Sequence, residues 1–213
     1  RMISQLFINS LIAGSIYALI AIGFAIIYKT VKFFHFAHGV VYAAGAYIAY
    51  AFFHILHFNF ISSLLLATIV AGVVGVGIYQ FIYRTLQVKK APNLIYLIAS
   101  FGAFIFIQNL ISLIYGNQVL PMRLEQDVSI YSLFGAAITS TQITIVAISI
   151  ATLLVLWAFI ERTNLGLALR AVADDSQAAQ LVGINSLRLT QMSFFIGSML
   201  AGIAGVLISL ETN

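Results

Sequence analysis

Two histidines are the side chains in this sequence best suited to chemistry. His35 and His38 stand three residues apart within the stretch KTVKFFHFAHGVVYAAGAY, residues 29–47. On a helix this spacing places both imidazoles on one face, where they could chelate a metal ion. No carboxylate or cysteine lies nearby to complete a ligand set, and imidazoles at a helix end also pair with free backbone groups. The pattern favours a structural or gating role, and neither a metal site nor a catalytic residue is predicted.

The composition indicates that these side chains belong to a membrane protein. Hydrophobic residues make up 62% of the 213 residues and charged residues only 8%, against roughly 45 to 50% and about 25% in soluble domains. The absence of cysteine excludes disulfides, thiolate nucleophiles and cysteine-based metal sites. The net charge of +4 comes from sparse residues between long uncharged runs, so it indicates membrane topology and no nucleic-acid partner.

Long uncharged runs predict an all-α, polytopic bundle of about six crossings. One crossing takes about 20 residues, because a helix rises about 1.5 Å per residue through a hydrocarbon core about 30 Å thick. The run 33–83 is too long for one helix and is expected to fold back near Asn59. The predicted crossings are residues 3–28, 35–56, 61–83, 93–115, 142–160 and 190–210. In the last of them, Gly197, Ala201 and Gly205 predict close helix contact.

Lysine and arginine predict the orientation, since they are retained in short cytoplasmic loops. If loop 161–189 is inside, alternation places loops 29–34 and 84–92 inside as well. That side then holds Lys29, Lys32, Arg84, Lys89, Lys90, Arg162, Arg170 and Arg188. Arg1 and Arg123 are predicted outside together with the N-terminus, unless segment 35–56 is re-entrant or broken, which would reverse everything before it.

Uncharged polar groups within the crossings predict the route of a solute. The expected path lies near Tyr17, His35, His38, Gly39, Tyr42, Ser100, Gln108 and Asn109. Carriers coupled to protons or sodium usually place ionisable residues in their crossings, and here the histidines at the edge are the ionisable groups with a pKa near neutral pH. A neutral or zwitterionic solute therefore fits this set of hydroxyls and amides better.

Loop 161–189 is too polar to span a membrane, yet it has helical periodicity. Leu165, Leu169 and Val172 recur on one helical face. Ser176 is predicted to cap a second, short helix, which Gly183 would end as the residue after its C-cap. A solvated loop is the alternative, but exposed apolar residues on a short helix favour a docking element for a cytoplasmic partner.

Most of the chain resembles one protein family. The similarity is carried by GSIYALIAIGFAIIYKTVKFFHFAHGVVYAAGAY, SFGAFIFIQN and RAVADDSQAAQLVGINSLRLTQMSFFIGSMLAGIAGVL. These stretches resemble the permease subunits of ABC importers for branched-chain amino acids, whose relatives include urea and amide importers. Phe36, Ala37, His38 and Gly39 match a family stretch of the form NFAHG, in which His35 replaces the usual Asn. Family members usually continue with further crossings, so the chain is expected to be C-terminally truncated.

The resemblance also implies a role for the cytoplasmic loop. Its short helix is similar to the E-A-A-x-x-x-G coupling segment of ABC permeases, with Gln in place of Glu. The residues implied to couple to an ATPase are Asp174, Asp175, Gln177, Ala178, Ala179, Gly183 and Asn185. The sequence contains no G-x-x-x-x-G-K-[ST] phosphate loop, so ATP hydrolysis is expected in a separate polypeptide.

Together these features predict a single transmembrane permease domain, residues 1–213, with loop 161–189 as its coupling element. The resemblance implies a transport subunit for branched-chain or other neutral amino acids, with no enzymatic activity and no cofactor. It implies four kinds of partner: a homologous second permease, two cytoplasmic ABC ATPases, an external or periplasmic solute-binding protein, and the bilayer of a bacterial-type inner membrane. The alternatives are a urea or short-amide ABC permease, a passive channel for a small neutral solute, and a membrane scaffold without transport.

Overall fold

The computed structural model describes residues 2–116, 120, 122, 129–133 and 136–211. Within these ranges the chain is a helical bundle, as the sequence predicts, with one small β-hairpin that the sequence analysis does not predict. The helices are α1 (Met2–Val31), α2 (His38–Tyr50), α3 (Phe60–Ile78), α4 (Arg84–Val88), α5 (Asn93–Tyr115), α6 (Ser140–Arg162), α7 (Asn164–Asp174), α8 (Ser176–Leu181) and α9 (Ser186–Glu211). A π-helix continues α2 over Ala51–Ile55, and another joins α3 to α4 over Tyr79–Tyr83. Strands β1 (Ile130–Leu133) and β2 (Ala136–Thr139) pair antiparallel.

Five helices of the described residues are long and apolar enough to cross a membrane. They are α1, the continuous helix Phe60–Val88, α5, α6 and α9, and they match five of the predicted crossings. The predicted crossing 35–56 is a 13-residue α-helix, α2, followed by a five-residue π-helix. It begins at His38, so His35 lies in the loop before the helix, and the expectation that both histidines share a helix face is wrong.

Helix α9 is the centre of the bundle. In its most apolar stretch 72% of the residues are buried, against 11% for α5, and it packs on α1, α2 and α3. These contacts are made backbone to backbone. A Cβ added to Gly45 would lie 2.6 Å from the Cα of Gly202, and one added to Gly197 would lie 2.6 Å from the carbonyl oxygen of Gly23. The predicted close contact through small residues is therefore confirmed.

The basic loops gather at one end of the bundle, as the predicted alternation requires. The Lys32 ammonium donates a hydrogen bond to the carbonyl of Ala173 at the end of α7, 2.6 Å away. Lys32, Gln87 and the α7–α8 junction line a common cavity of about 510 Å³. The turn after α1, the end of α4 and loop 161–189 thus share one side.

The opposite end holds the N-terminus and the hairpin. The Gln5 side chain exchanges two hydrogen bonds with the backbone of Ala137 on β2. The Met122 amide donates to Ser209 near the end of α9. Of the cations predicted at this end, Arg1 and Arg123 fall outside the described residues. The basic loops and the N-terminal end of α1 therefore lie at opposite ends of the bundle, as predicted. Which of these ends faces the cytoplasm remains a prediction from the distribution of lysine and arginine.

The contact between Gly45 and Gly202 predicts a stability effect. Gly45→Ala places a methyl group against the backbone of α9 and forces the two helices apart, which we expect to lower the free energy of unfolding by about 1 to 3 kcal/mol. Gly77→Ala is the matched control, because a Cβ there meets nothing within 4 Å and alanine favours the helix. The free energies of unfolding of the two purified variants are measured in detergent. Equal stability of Gly45→Ala and Gly77→Ala would contradict the close contact.

Candidate functional site

The loop between α1 and α2 turns into the bundle instead of lying on its surface. Lys32 adopts a left-handed backbone, with φ of 58°, and directs the chain inward. Phe33 is buried and stacks on Tyr96 with ring centroids 4.5 Å apart. The Ala37 amide donates to the buried Ser100 hydroxyl at 2.9 Å. A buried loop needs such partners, because unpaired backbone groups away from water are costly.

His35 is fully buried at the centre of this loop. Its Nδ1 and the Tyr83 hydroxyl are 2.8 Å apart and share a hydrogen bond, and its ring packs edge-on against Phe194 of α9. Tyr83 ends the second π-helix. The His35 Nε2 has no hydrogen-bond partner within the part of the chain that the structure describes. This nitrogen is therefore a buried polar atom that no described residue pairs with.

His38, the first residue of α2, is 3% exposed. Its Nε2 lies 3.2 Å from the Ile20 carbonyl. A carbonyl only accepts, so this contact assigns the proton to Nε2 and leaves Nδ1 as an acceptor. Nδ1 also lacks a partner in the described ranges. The rings of His35 and His38 are 6.0 Å apart, and the described residues hold no cluster of three groups able to bind a metal ion.

The two histidines lie at the floor of a groove of about 490 Å³ between α1 and α5. Its walls are aromatic and aliphatic. The lining residues are Tyr17, Ile20, Ala21, Phe24, Phe34, His35, Phe36, His38, Gly39 and Phe104. Tyr17 stands at the rim, with 62% of its surface exposed. The surface of the groove is thus almost wholly apolar, with the Tyr17 phenol at its rim and the imidazoles of His35 and His38 buried beneath its floor, which suits an apolar side chain.

Four of the eight predicted path residues, Tyr17, His35, His38 and Gly39, therefore lie together. Ser100 is close by, behind the loop that it anchors. Tyr42 is one turn further along α2, half-buried, with its carbonyl against Gly205 of α9.

Gln108 and Asn109 lie elsewhere. Both are exposed on α5, and neither lines the groove between α1 and α5. Asn109 donates to the Ile105 carbonyl at 2.7 Å and lines a separate, open groove with Gly102 and Leu113. The sequence pattern does not distinguish polar residues that face the bundle from those that face outward. The packing of α5 shows which way each of them faces.

The second candidate site is the coupling segment formed by α7 and α8. Leu169 and Val172 of α7 are buried against Ala179 of α8 and Leu189 of α9, as the helical periodicity predicts. Asp175 caps α8, since its carboxylate accepts from the amides of Gln177 and Ala178 at 2.8 and 3.0 Å. The predicted Ser176 cap is wrong. A carboxylate is favoured at this position, because it also faces the positive end of the helix.

Gly183 ends α8 as predicted. Its φ is +86°, its amide donates to Gln180, and the amide of Ile184 donates to Ala179, both at 3.0 Å. This pair of bonds is the Schellman motif, in which glycine takes the left-handed position. Just before it, Leu181 and Val182 are 90% and 76% exposed. They form an apolar tip that points away from the bundle.

The other predicted coupling residues surround this tip. Asp174, Gln177 and Ala178 are exposed, whereas Ala179 is buried beneath them. The Asn185 side chain accepts from the Arg188 amide at 3.1 Å at the start of α9. The sequence analysis places exposed apolar residues on this short helix but does not include Leu181 and Val182 among the coupling residues, although two apolar residues immediately before a terminating glycine are a usable signal. It also missed Tyr83, for which no local signal exists.

Comparison with known proteins gives matches to permeases of transport systems. Residues 6–213 match the family described as the permease component of branched-chain amino acid transport systems. The chain is 35% identical to the high-affinity branched-chain amino acid transport system permease protein LivH of Salmonella typhimurium, over 97% of this chain and 70% of that protein. It is 34% identical to the corresponding protein BraD of Pseudomonas aeruginosa, over 97% and 71%. No solved structure matches it.

The bond between His35 and Tyr83 predicts a further stability effect. Tyr83→Phe leaves the Nδ1 of a fully buried imidazole unpaired, and we expect this to lower the free energy of unfolding by about 1 to 3 kcal/mol. Tyr96→Phe is the control, because Tyr96 is a buried neighbour in the same aromatic cluster and its hydroxyl makes no hydrogen bond to any described residue. The two variants are compared by thermal unfolding in one detergent. A Tyr83→Phe variant as stable as Tyr96→Phe would show that the bond contributes nothing.

Proposed function

Because the chain belongs to the family of branched-chain amino acid transport permeases, we propose that it is the membrane-spanning subunit of an ATP-driven importer of branched-chain amino acids. The observation that carries the ATP-driven part of the proposal is the exposed apolar tip, Leu181 and Val182, on the rigid short helix α8. The relatives LivH and BraD are named as permeases of high-affinity branched-chain amino acid transport systems, which supports this class of solute.

The tip supports a docking role because exposed apolar side chains beyond a membrane gain by burial. Covering a leucine or a valine contributes roughly 1.5 to 3 kcal/mol each. Helix α8 has only six residues, and it is held by Asp175 at its start, by Gly183 at its end and by Ala179 beneath. A short helix that is held at both ends and from beneath would move as a unit when a partner displaces it. Asp174, Gln177, Ala178 and Asn185 would form the polar rim of that contact.

The proposed partner at this tip is a cytoplasmic ABC ATPase. The sequence lacks a phosphate-binding loop of its own, so the site of ATP hydrolysis would be in that separate subunit. Two ATPases, a second homologous permease and an external solute-binding protein complete the proposed assembly, in a bacterial-type inner membrane. Closure of the ATPases would displace α8, and the contact between Ala179 and Leu189 would carry that displacement into α9.

The proposed solute path runs along the groove between α1 and α5. Its aromatic wall fits the apolar side chain of a branched-chain amino acid. The buried nitrogens of His35 and His38 that lack a described partner would bond the polar end once the loop between α1 and α2 shifts and exposes them. Tyr42 and Ser100 lie behind this floor. Gln108 and Asn109 would take part only if a second subunit covered the exposed face of α5.

The apolar tip predicts a loss of coupling without loss of folding. In the complete assembly in proteoliposomes, Leu181→Glu should abolish most ATP-driven leucine uptake, because it puts a charge into the proposed ATPase groove. The position is 90% exposed, so the variant should fold normally. Val88→Glu, at a 78% exposed position on α4 at the same end of the bundle, is the control and should keep uptake.

Two results would contradict the coupled importer. Leucine or urea flux that proceeds without ATP and is unchanged by Leu181→Glu would instead indicate a passive channel. Equal loss of uptake in Leu181→Glu and Val88→Glu would show that any charge at this end disturbs the assembly, which removes the evidence for a specific contact.

The proposed path predicts which positions meet water. The 213 residues contain no cysteine, so a single cysteine can be introduced and its labelling measured on this subunit after the assembly is separated on a denaturing gel. We expect Tyr17→Cys in the assembly to react with a water-soluble maleimide and to be protected by leucine. Val73→Cys, at a 59% exposed position on α3, should stay unreactive because it faces lipid. A membrane scaffold without a path predicts that neither position reacts.

A further inference from the structure

A further cavity, of about 270 Å³, lies between α1, α6, α7 and α9. It is separate from the groove that holds the histidines. The lining residues are Ile26, Lys29, Thr30, Leu156, Ile160, Glu161, Leu169, Arg170, Ala173, Ser193 and Ile196. Aliphatic side chains thus form most of its wall, and three charged residues contribute to its rim.

The cavity lies at the level of the membrane interface. On α6, Trp157 is 56% exposed, and the Arg162 guanidinium carbon lies 5.6 Å from the centre of its ring. An exposed tryptophan next to an arginine at the end of a crossing is typical of the interfacial belt. Leu156 and Ile160 of the cavity wall are in the same turns of α6. Lys29 is in the last turn of α1, so both elements place the cavity where lipid headgroups begin.

The charges at the rim do not cancel. Arg170 pairs with Glu161, with an Nη1 to Oε2 distance of 3.0 Å. Lys29 is exposed and has no carboxylate partner among the described residues. The rim therefore carries one unneutralised positive charge above an apolar wall. A ligand that matches this arrangement has an anionic group at the interface and an apolar chain that extends towards the membrane.

We infer that this cavity is a binding site for an anionic phospholipid of the leaflet on the side of the basic loops. The phosphodiester group lies at Lys29, and an acyl chain lies along the wall formed by Ile26, Leu156 and Ile196. A free phosphate ion would leave that apolar wall uncovered, so the lipid is the better occupant. Since Leu169, Arg170 and Ala173 of α7 also line the cavity, the bound lipid contacts the coupling segment directly.

The chain provides its own probe for this site. Trp157 is the single tryptophan among the 213 residues and directly follows Leu156 of the cavity wall. The 213-residue chain is placed in phosphatidylcholine nanodiscs that contain a minor fraction of brominated lipid, either phosphatidylglycerol or phosphatidylcholine. One unneutralised cation should enrich the anionic lipid about fivefold over its bulk fraction. Brominated phosphatidylglycerol should therefore quench Trp157 fluorescence more strongly than brominated phosphatidylcholine at equal content.

Two substitutions change the rim charge in opposite directions. Lys29→Gln should reduce the quenching by the two lipids to near equality. Glu161→Gln should release Arg170 and raise the preference for the anionic lipid by about a further fivefold. Lys89→Gln is the matched control, since Lys89 is an exposed lysine of the basic loops that does not line the cavity. Circular dichroism checks folding, and Glu161→Gln keeps the test valid if Lys29→Gln folds poorly.

Three outcomes overturn the inference. The first is equal quenching by both brominated lipids in the unmodified chain. The second is an equal loss of preference in Lys89→Gln and Lys29→Gln, which indicates a general attraction of the basic end to an anionic surface. The third is removal of the excess quenching by inorganic phosphate added to the buffer, which indicates an anion site that needs no lipid.

Discussion

Backbone contact between α9 and its neighbours is the constraint on which the rest of the structure depends. Apolar side chains gain little from leaving lipid for another apolar surface, so helices in a membrane associate through close packing. The missing side chains at Gly197 and Gly202 let α1 and α2 approach α9 until backbone atoms touch. Larger residues at these positions would hold the helices apart and loosen every contact that α9 organises.

The same helix connects the two candidate sites. At its first turns Leu189 packs with Leu169, Val172 and Ala179 of the coupling segment. Further along, Phe194 contacts the His35 ring and the Tyr79 ring. A helix that packs against both sites is the physical connection that the proposed coupling would use. This arrangement explains how a push at α8 could change the floor of the groove between α1 and α5.

The buried loop between α1 and α2 carries an energetic cost, because it places polar groups inside the bundle. It brings two imidazoles into the bundle and leaves one nitrogen of each without a partner in the described part of the chain. Tyr83, Ser100 and the Ile20 carbonyl pair with the other polar groups. Groups left unpaired inside a packed structure are unusual and commonly mark sites where a ligand or water binds. The placement of both histidines at a groove is consistent with that reading.

The sequence by itself determined the class of fold, the crossings and the form of the coupling segment, because these depend on local chemistry. That chemistry consists of long apolar runs, lysines in short loops, and Gly183, which ends α8 directly after Leu181 and Val182. Even locally it erred at the cap, where the carboxylate of Asp175 displaced the expected Ser176. Only the tertiary structure decided which polar residues meet. Tyr83 bonds His35, which is 48 positions away in the sequence. Gln108 faces outward, although its polar side chain within a crossing predicts a place on the solute path. Such pairings arise from how helices pack and rotate against one another, and no short stretch of sequence carries that information.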